Sequence, residues 1–213
     1  MPSKSVLYVT AALVLAALLI DSVIRGHSPQ GAAEWFAPIG PGVSCAIVGL
    51  VIFDRWAWRQ PGIRRLTGRP VLRGTWFGEV ASTWEDPQAG KRIDPDASVF
   101  LVIRQSFWSI SARLLTNESR SRSIHAALRA DEDGVCRLLY VYENHPEDDV
   151  KHKSQSHYGT AILSAPRNRQ DGVVGGYFTG RKTTGDMRFH QHFPELVESY
   201  EAGLKLLDPA DAL

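Results

Sequence analysis

Cysteine is nearly absent from these 213 residues: Cys45 and Cys136 are the whole complement. Neither stands at metal-ligand spacing, a disulfide would have to join an apolar stretch around Cys45 to a strand-like one around Cys136, and the usage fits a reducing compartment. Net charge is close to absent as well, +1 from 24 basic and 23 acidic side chains. That balance conceals a local asymmetry taken up below. The chain lacks a G-x-S-x-G elbow, a phosphate-loop motif, an H-E-x-x-H helix and a carboxylate pair framed by strand ends, so nothing motivates catalysis. His125, His145, His152, His157, His190 and His192 are scattered over strands and loops with no cysteine or carboxylate at ligand spacing, and no metal or other cofactor is expected. The acidic run Glu143 to Asp149 around Pro146 reads as a solvated loop. Internal repeats and low-complexity tracts are missing too.

What is present begins with two apolar stretches, back to back. The first, Val6 to Ile24, carries one charge, Asp21, near its end. As a helix it would cover about 28 Å, the thickness of a hydrocarbon core. The second, Trp35 to Phe53, lies between Glu34 and Asp54, with Trp56 and Trp58 just beyond, as aromatics at an interface are placed. Pro38 and Pro41 set the start of its helix proper near Pro41. A cleaved signal peptide is the rival for the first stretch, but no clear A-x-A site precedes Gly31 to Ala33 and a second apolar stretch follows at once. A buried hairpin of a soluble protein is the other rival, yet small domains rarely bury two helices that are apolar all round. Two membrane spans are the expectation. Arg55, Arg59, Arg64, Arg65, Arg69 and Arg73 follow the second span against Asp54 alone, which places both termini in the cytoplasm and offers a surface for anionic headgroups. The organisation expected is a hairpin over 1–54, a basic linker over 55–70 and a cytoplasmic ligand-sensing domain over 71–213.

From Val71 the period changes from helical to alternating. Strands are expected near Leu72 to Thr83, Ser98 to Gln105, Trp108 to Leu115, Ser121 to Asp131, Val135 to Asn144, Gln155 to Ser164, Val173 to Arg181 and Met187 to His192. Turns are expected at Asp131 to Gly134, Pro166 to Gly172 and Thr184 to Asp186. About eight short antiparallel strands point to a small up-and-down β-barrel. After Pro194, Leu196, Val197, Tyr200, Leu204 and Leu207 share one helical face, so a C-terminal helix should pack on the barrel or plug one end.

Such a barrel holds one small ligand, and the seventh strand suggests its chemistry. Gly175, Tyr177, Thr179 and Arg181 share one face, and Lys182 to Gly185, Arg188 and His190 follow. Aromatic faces for stacking, arginines for phosphate or a base edge, and threonine hydroxyls suit a nucleotide. A structural reading stands beside this one. Gly74, Trp76 and Gly78 resemble the Gly-x-Trp start of lipocalin-type barrels, where the Trp closes the base and a late-strand Arg stacks over it, and Trp76 with Arg181 fits that role. Tyr140, Tyr142 and Tyr158 read first as sheet packing.

The hairpin, the basic connector and the single barrel, with LRGTWFGEV at Leu72 to Val80 and YFTGRKTTGDM at Tyr177 to Met187, resemble the two-transmembrane, β-strand-rich effectors of bacterial CBASS anti-phage systems. That family is associated with cGAS-like nucleotidyltransferases of the SMODS type. The resemblance implies a non-catalytic receptor in the bacterial inner membrane whose barrel binds a cyclic dinucleotide, a homo-oligomer on activation, and hairpins that disrupt the bilayer and kill the infected cell. No nucleic-acid polymer is implied as a partner. The expected ligand residues are Tyr177 to stack, Arg181 to pair with a phosphate or a base edge, and Thr179 and Thr183 to fix orientation, with Trp76 and Arg104 as second choices. Small residues such as Ala11, Ala16, Gly42 and Gly49 would permit close helix contact in the oligomer, and Asp21 reads first as an interfacial anchor. A membrane-anchored lipocalin-like carrier of a hydrophobic ligand and a non-catalytic docking module are the alternatives.

Overall fold

The computed structural model describes residues 39–83, 98–130, 135–148, 151–152, 155–165 and 172–207. The expected first span, the turn at Asp131 to Gly134 and most of the turn at Pro166 to Gly172 lie outside them. The chain divides into two compact units at Thr67/Gly68.

In the first unit, helix α1 runs Ile39–Arg55 and starts two residues earlier than the prolines suggest. Pro41 falls in its first turn, where the missing amide has no intrahelical partner to lose. Val43, Ile47, Val48, Val51 and Ile52 stand exposed along it. No described helix is long and apolar enough to cross a membrane. The basic segment expected as a linker is itself helical, a 3-10 turn over Ala57–Arg59 and then helix α2 over Pro61–Thr67. Gly68, at φ +61°, ends α2 in the left-handed conformation that closes helices at low steric cost. Trp56 is exposed, whereas Trp58 is fully buried rather than offered outward.

The second unit is a closed antiparallel barrel in simple up-and-down order. Its strands are β1 (Gly74–Ser82), β2 (Ser98–Gln105), β3 (Ile110–Leu115), β4 (Ser119–Ala130), β5 (Cys136–Pro146), β6 (His157–Ala165), β7 (Val173–Thr179) and β8 (Thr184–Phe193). β8 returns to pair with β1 from Thr75↔Phe193 to Ser82↔Gly185. Two expectations are corrected here. The acidic run does not open as a loop at Glu143, because β5 continues to Pro146, paired with β4. Thr184 to Asp186 is the start of β8, and the turn before it lies at Gly180 to Thr183.

Period-two alternation fills the interior. Trp76, Leu101, Ile103, Leu138, Tyr140, Leu163, Met187 and Phe189 form one buried cluster. On β2 the opposite face is buried too: Phe100 and Val102 pack with Leu115 and Val197, joined by Leu196, Tyr200, Leu206 and Leu207. That double burial explains the unbroken apolar run VFLVI at Val99 to Ile103. The C-terminal helix α3 therefore covers the outer wall of β2 and does not plug an end. It is also shorter than its apolar pattern suggests, Tyr200–Leu207. The residues before it are irregular, tied to β1 because the Thr75 hydroxyl donates to the Glu195 carbonyl at 2.7 Å and accepts from the Val197 amide at 3.3 Å. Within α3 it is Gly203 that sits against the Phe100 ring, leaving Leu204 exposed.

Candidate functional site

In an up-and-down barrel the C-terminal ends of odd strands and the N-terminal ends of even strands share one rim. Here that rim gathers Ser82, Val99, Thr116, Ser121, Tyr142, Asn144, His157, Thr179 and Met187 around a cavity of about 160 Å³. Val80, Val99, Leu114 and Met187 give it an apolar part, while hydroxyls, amides, two tyrosines, His157, Arg181 and Glu118 line the remainder.

The tyrosines are seated on glycines. Tyr142 pairs in register with Gly159, and a Cβ at Gly159 would lie far inside contact distance of the Tyr142 Cζ and Oη atoms. Gly185 pairs with Tyr177, and a Cβ there would meet the Tyr177 Cε1 atom at 2.5 Å. A ring lying over a glycine recovers burial that the missing side chain forfeits. The Tyr177 hydroxyl donates to Ser82 Oγ at 2.6 Å, passing over Gly185 of β8, which pairs with both residues.

The turn from β7 to β8 is built by its threonines. The Thr179 amide donates to the Thr183 carbonyl at 2.9 Å, the Lys182 amide donates to the Thr179 carbonyl at 3.1 Å, and Lys182 takes φ +63°. The two threonine hydroxyls lie 2.6 Å apart, and Thr179 Oγ1 accepts from the Arg181 amide at 3.2 Å. The hydroxyls thus hold the loop that carries Arg181. His157 Nδ1 lies 3.1 Å from the Gln155 carbonyl, an acceptor, so Nδ1 bears the proton and the bare Nε2 faces Arg181 Nη2 at 3.5 Å. Burial is the leading influence on all four ionisable groups. It pushes the Tyr142 and Tyr177 phenols up, the Ser82 bond and the Arg181 charge opposing it at Tyr177, and it pulls the Arg181 guanidinium down. It also lowers His157, with the Arg181 charge adding to the effect. At neutral pH the site presents one guanidinium, two neutral phenols and a neutral imidazole, with the Glu118 carboxylate at the rim, and the guanidinium and phenols can receive an anion and a flat ring.

The profile of the Cap15 cyclic dinucleotide receptor domain matches residues 67–191. The chain belongs to the Cap15 family. It is 33% identical over 154 residues to CD-NTase-associated protein 15 of Staphylococcus schleiferi, covering 72% of this chain and 79% of that one. The barrel is thus the cyclic dinucleotide receptor domain of a CBASS-associated effector.

Within this Cap15 barrel, Tyr177, Thr179, Arg181 and Thr183 line the rim cavity together. The second-choice residues do not join them. Trp76 is fully buried six residues before Ser82 on β1, about 20 Å away along the strand, its indole N–H donating to the Leu72 carbonyl at 2.9 Å. Its ring meets His192, centroids 4.6 Å apart, so the lipocalin-like stacking of Arg181 over Trp76 is not formed. Arg104 faces outward from β2 and pairs with Glu198, which also holds Arg113 at 2.7 Å. Arg188 and His190 face outward too, on the exposed positions of β8. Sequence reasoning passed over Tyr142, Ser82, Asn144 and His157 as cavity residues. The signal available was topological: counting by twos from the rim ends of β1, β5 and β6 reaches each of them.

Proposed function

We propose that the rim cavity is the messenger site, with Arg181 pairing with a phosphodiester, Tyr177 and Tyr142 beside a base, and Thr179 and Thr183 holding the turn that presents Arg181. The observation that carries this reading is the convergence of the Tyr177 to Thr183 segment with Tyr142, Ser82 and His157 on one cavity inside the matched receptor domain. We infer further that residues 1–54 form a two-span hairpin in the bacterial inner membrane with both termini cytoplasmic. Messenger binding gathers copies of the chain, the gathered hairpins disrupt the bilayer, and a CD-NTase supplies the messenger. The arginines after α1, its exposed apolar side chains and the name of the staphylococcal relative support this account.

The test is thermal melting of the purified full chain in detergent against a panel of cyclic dinucleotides. Messenger at a hundred times its dissociation constant stabilises the fold by about 2.7 kcal/mol. Arg181→Ala is expected to keep the unliganded melting temperature and lose the shift. A shift that persists in that variant removes Arg181 from the site. No shift with any dinucleotide, but one with a fatty acid, returns the barrel to the hydrophobic carrier.

A further inference from the structure

A cavity of about 160 Å³ is small for a cyclic dinucleotide. A protein cavity of about 150 Å³ takes a single benzene ring, and pockets that enclose a drug-sized molecule start at about 300 Å³. The rim cavity has room for one ring system. Its aromatic lining agrees, because Tyr142 and Tyr177 lie over Gly159 and Gly185, where no side chain stands between ring and backbone.

Charge points the same way. Among the described residues that line the cavity, Arg181 is the one cation at neutral pH, with His157 held neutral, and Glu118 at the rim is the one anion. A cyclic dinucleotide carries two phosphodiesters. One guanidinium matches one of them, and a second drawn to the same rim would meet the Glu118 carboxylate.

We propose that the barrel takes its messenger by one half: a single base enters beside Tyr142 and Tyr177, the adjoining phosphodiester rests on Arg181, and the second nucleoside stays outside the rim. This rests on the reading of the rim cavity as the messenger site. Its consequence is that only one of the two bases is read. In a 3′,3′-linked cyclic dinucleotide the two halves are equivalent, so a molecule with two matching bases has two ways to enter and a mixed molecule has one.

The experiment is calorimetric titration of the full chain in detergent with 3′,3′ cyclic di-AMP, di-GMP and di-UMP and the three mixed species made from the same bases. The preferred homodinucleotide is expected to bind at least tenfold tighter than the other two. Each mixed species that contains the preferred base should bind within about twofold of it, the statistical factor alone. A mixed species whose dissociation constant falls at the geometric mean of its two parents means that both bases are read, and overturns the proposal. Equal binding of all six overturns it as well. Binding by none of them fails the messenger-site reading itself, a result distinct from either.

Discussion

At Gly159 one methyl group is enough to disturb the site. The new Cβ of Gly159→Ala would fall on the Tyr142 phenol, so the ring must leave its seat beside the cavity. Dinucleotide affinity is expected to fall at least tenfold, while in a Tyr142→Ala background the same glycine change should have no further effect, a coupling that a double-mutant cycle by titration reads directly. Tyr177 and Arg181 were legible in the sequence because they stand in one short run with mixed chemistry. Tyr142 was not, since a tyrosine on a strand most often serves packing and its rim position follows only from register. His157 gives the site a pH dependence. Its folded pKa lies below the ordinary value near 6.5, so in that window the unfolded chain binds a proton that the folded chain refuses. Stability is therefore expected to fall as pH drops through 6.5 toward the folded value, and His157→Gln should flatten that slope in melting curves measured between pH 5 and 8.

The elements were easier to read than their ends. Strand existence followed from alternation, and β2 agreed with expectation at both termini because its run of apolar residues is buried on both faces. The C-terminal helix was overextended for a physical reason: its periodic apolar residues begin at Leu196, but Thr75 ties the Glu195 carbonyl and the Val197 amide to β1, and the helix starts at Tyr200. Thr75→Val should release that segment and lower stability by about 1–2 kcal/mol, seen as a lower denaturation midpoint with an unchanged slope. Phe100 is the larger test of the same packing. It is fully buried between the β2 wall and α3, so Phe100→Ala is expected to cost about 3–5 kcal/mol. Glu198 lies outside this core, and its pairing with Arg104 and Arg113 is open to solvent, so Glu198→Gln should leave the melting temperature close to that of the parent chain.

For the molecule as a whole, the proposed sensing and the proposed membrane damage fall to separate compact units, and they should separate experimentally. The sequence changes period near Val71, and the two compact units part at Thr67/Gly68. It did not carry the helical character of the basic segment, because short helices of seven residues or fewer leave no clear period. In the first unit Val43, Ile47, Val48, Val51 and Ile52 present apolar surface that lipid or neighbouring hairpins would cover. Carboxylates at Val48 and Ile52 would bring charge into that surface at a cost of about 2.5–3.5 kcal/mol each on insertion scales. The full chain carrying Val48→Asp and Ile52→Asp is therefore expected to keep its dinucleotide-dependent melting shift, since the barrel is untouched. Its dinucleotide-triggered release of dye from phosphatidylethanolamine and phosphatidylglycerol vesicles should fall to background. Release at the parent rate in that variant, with the melting shift intact, would mean that membrane damage does not pass through α1.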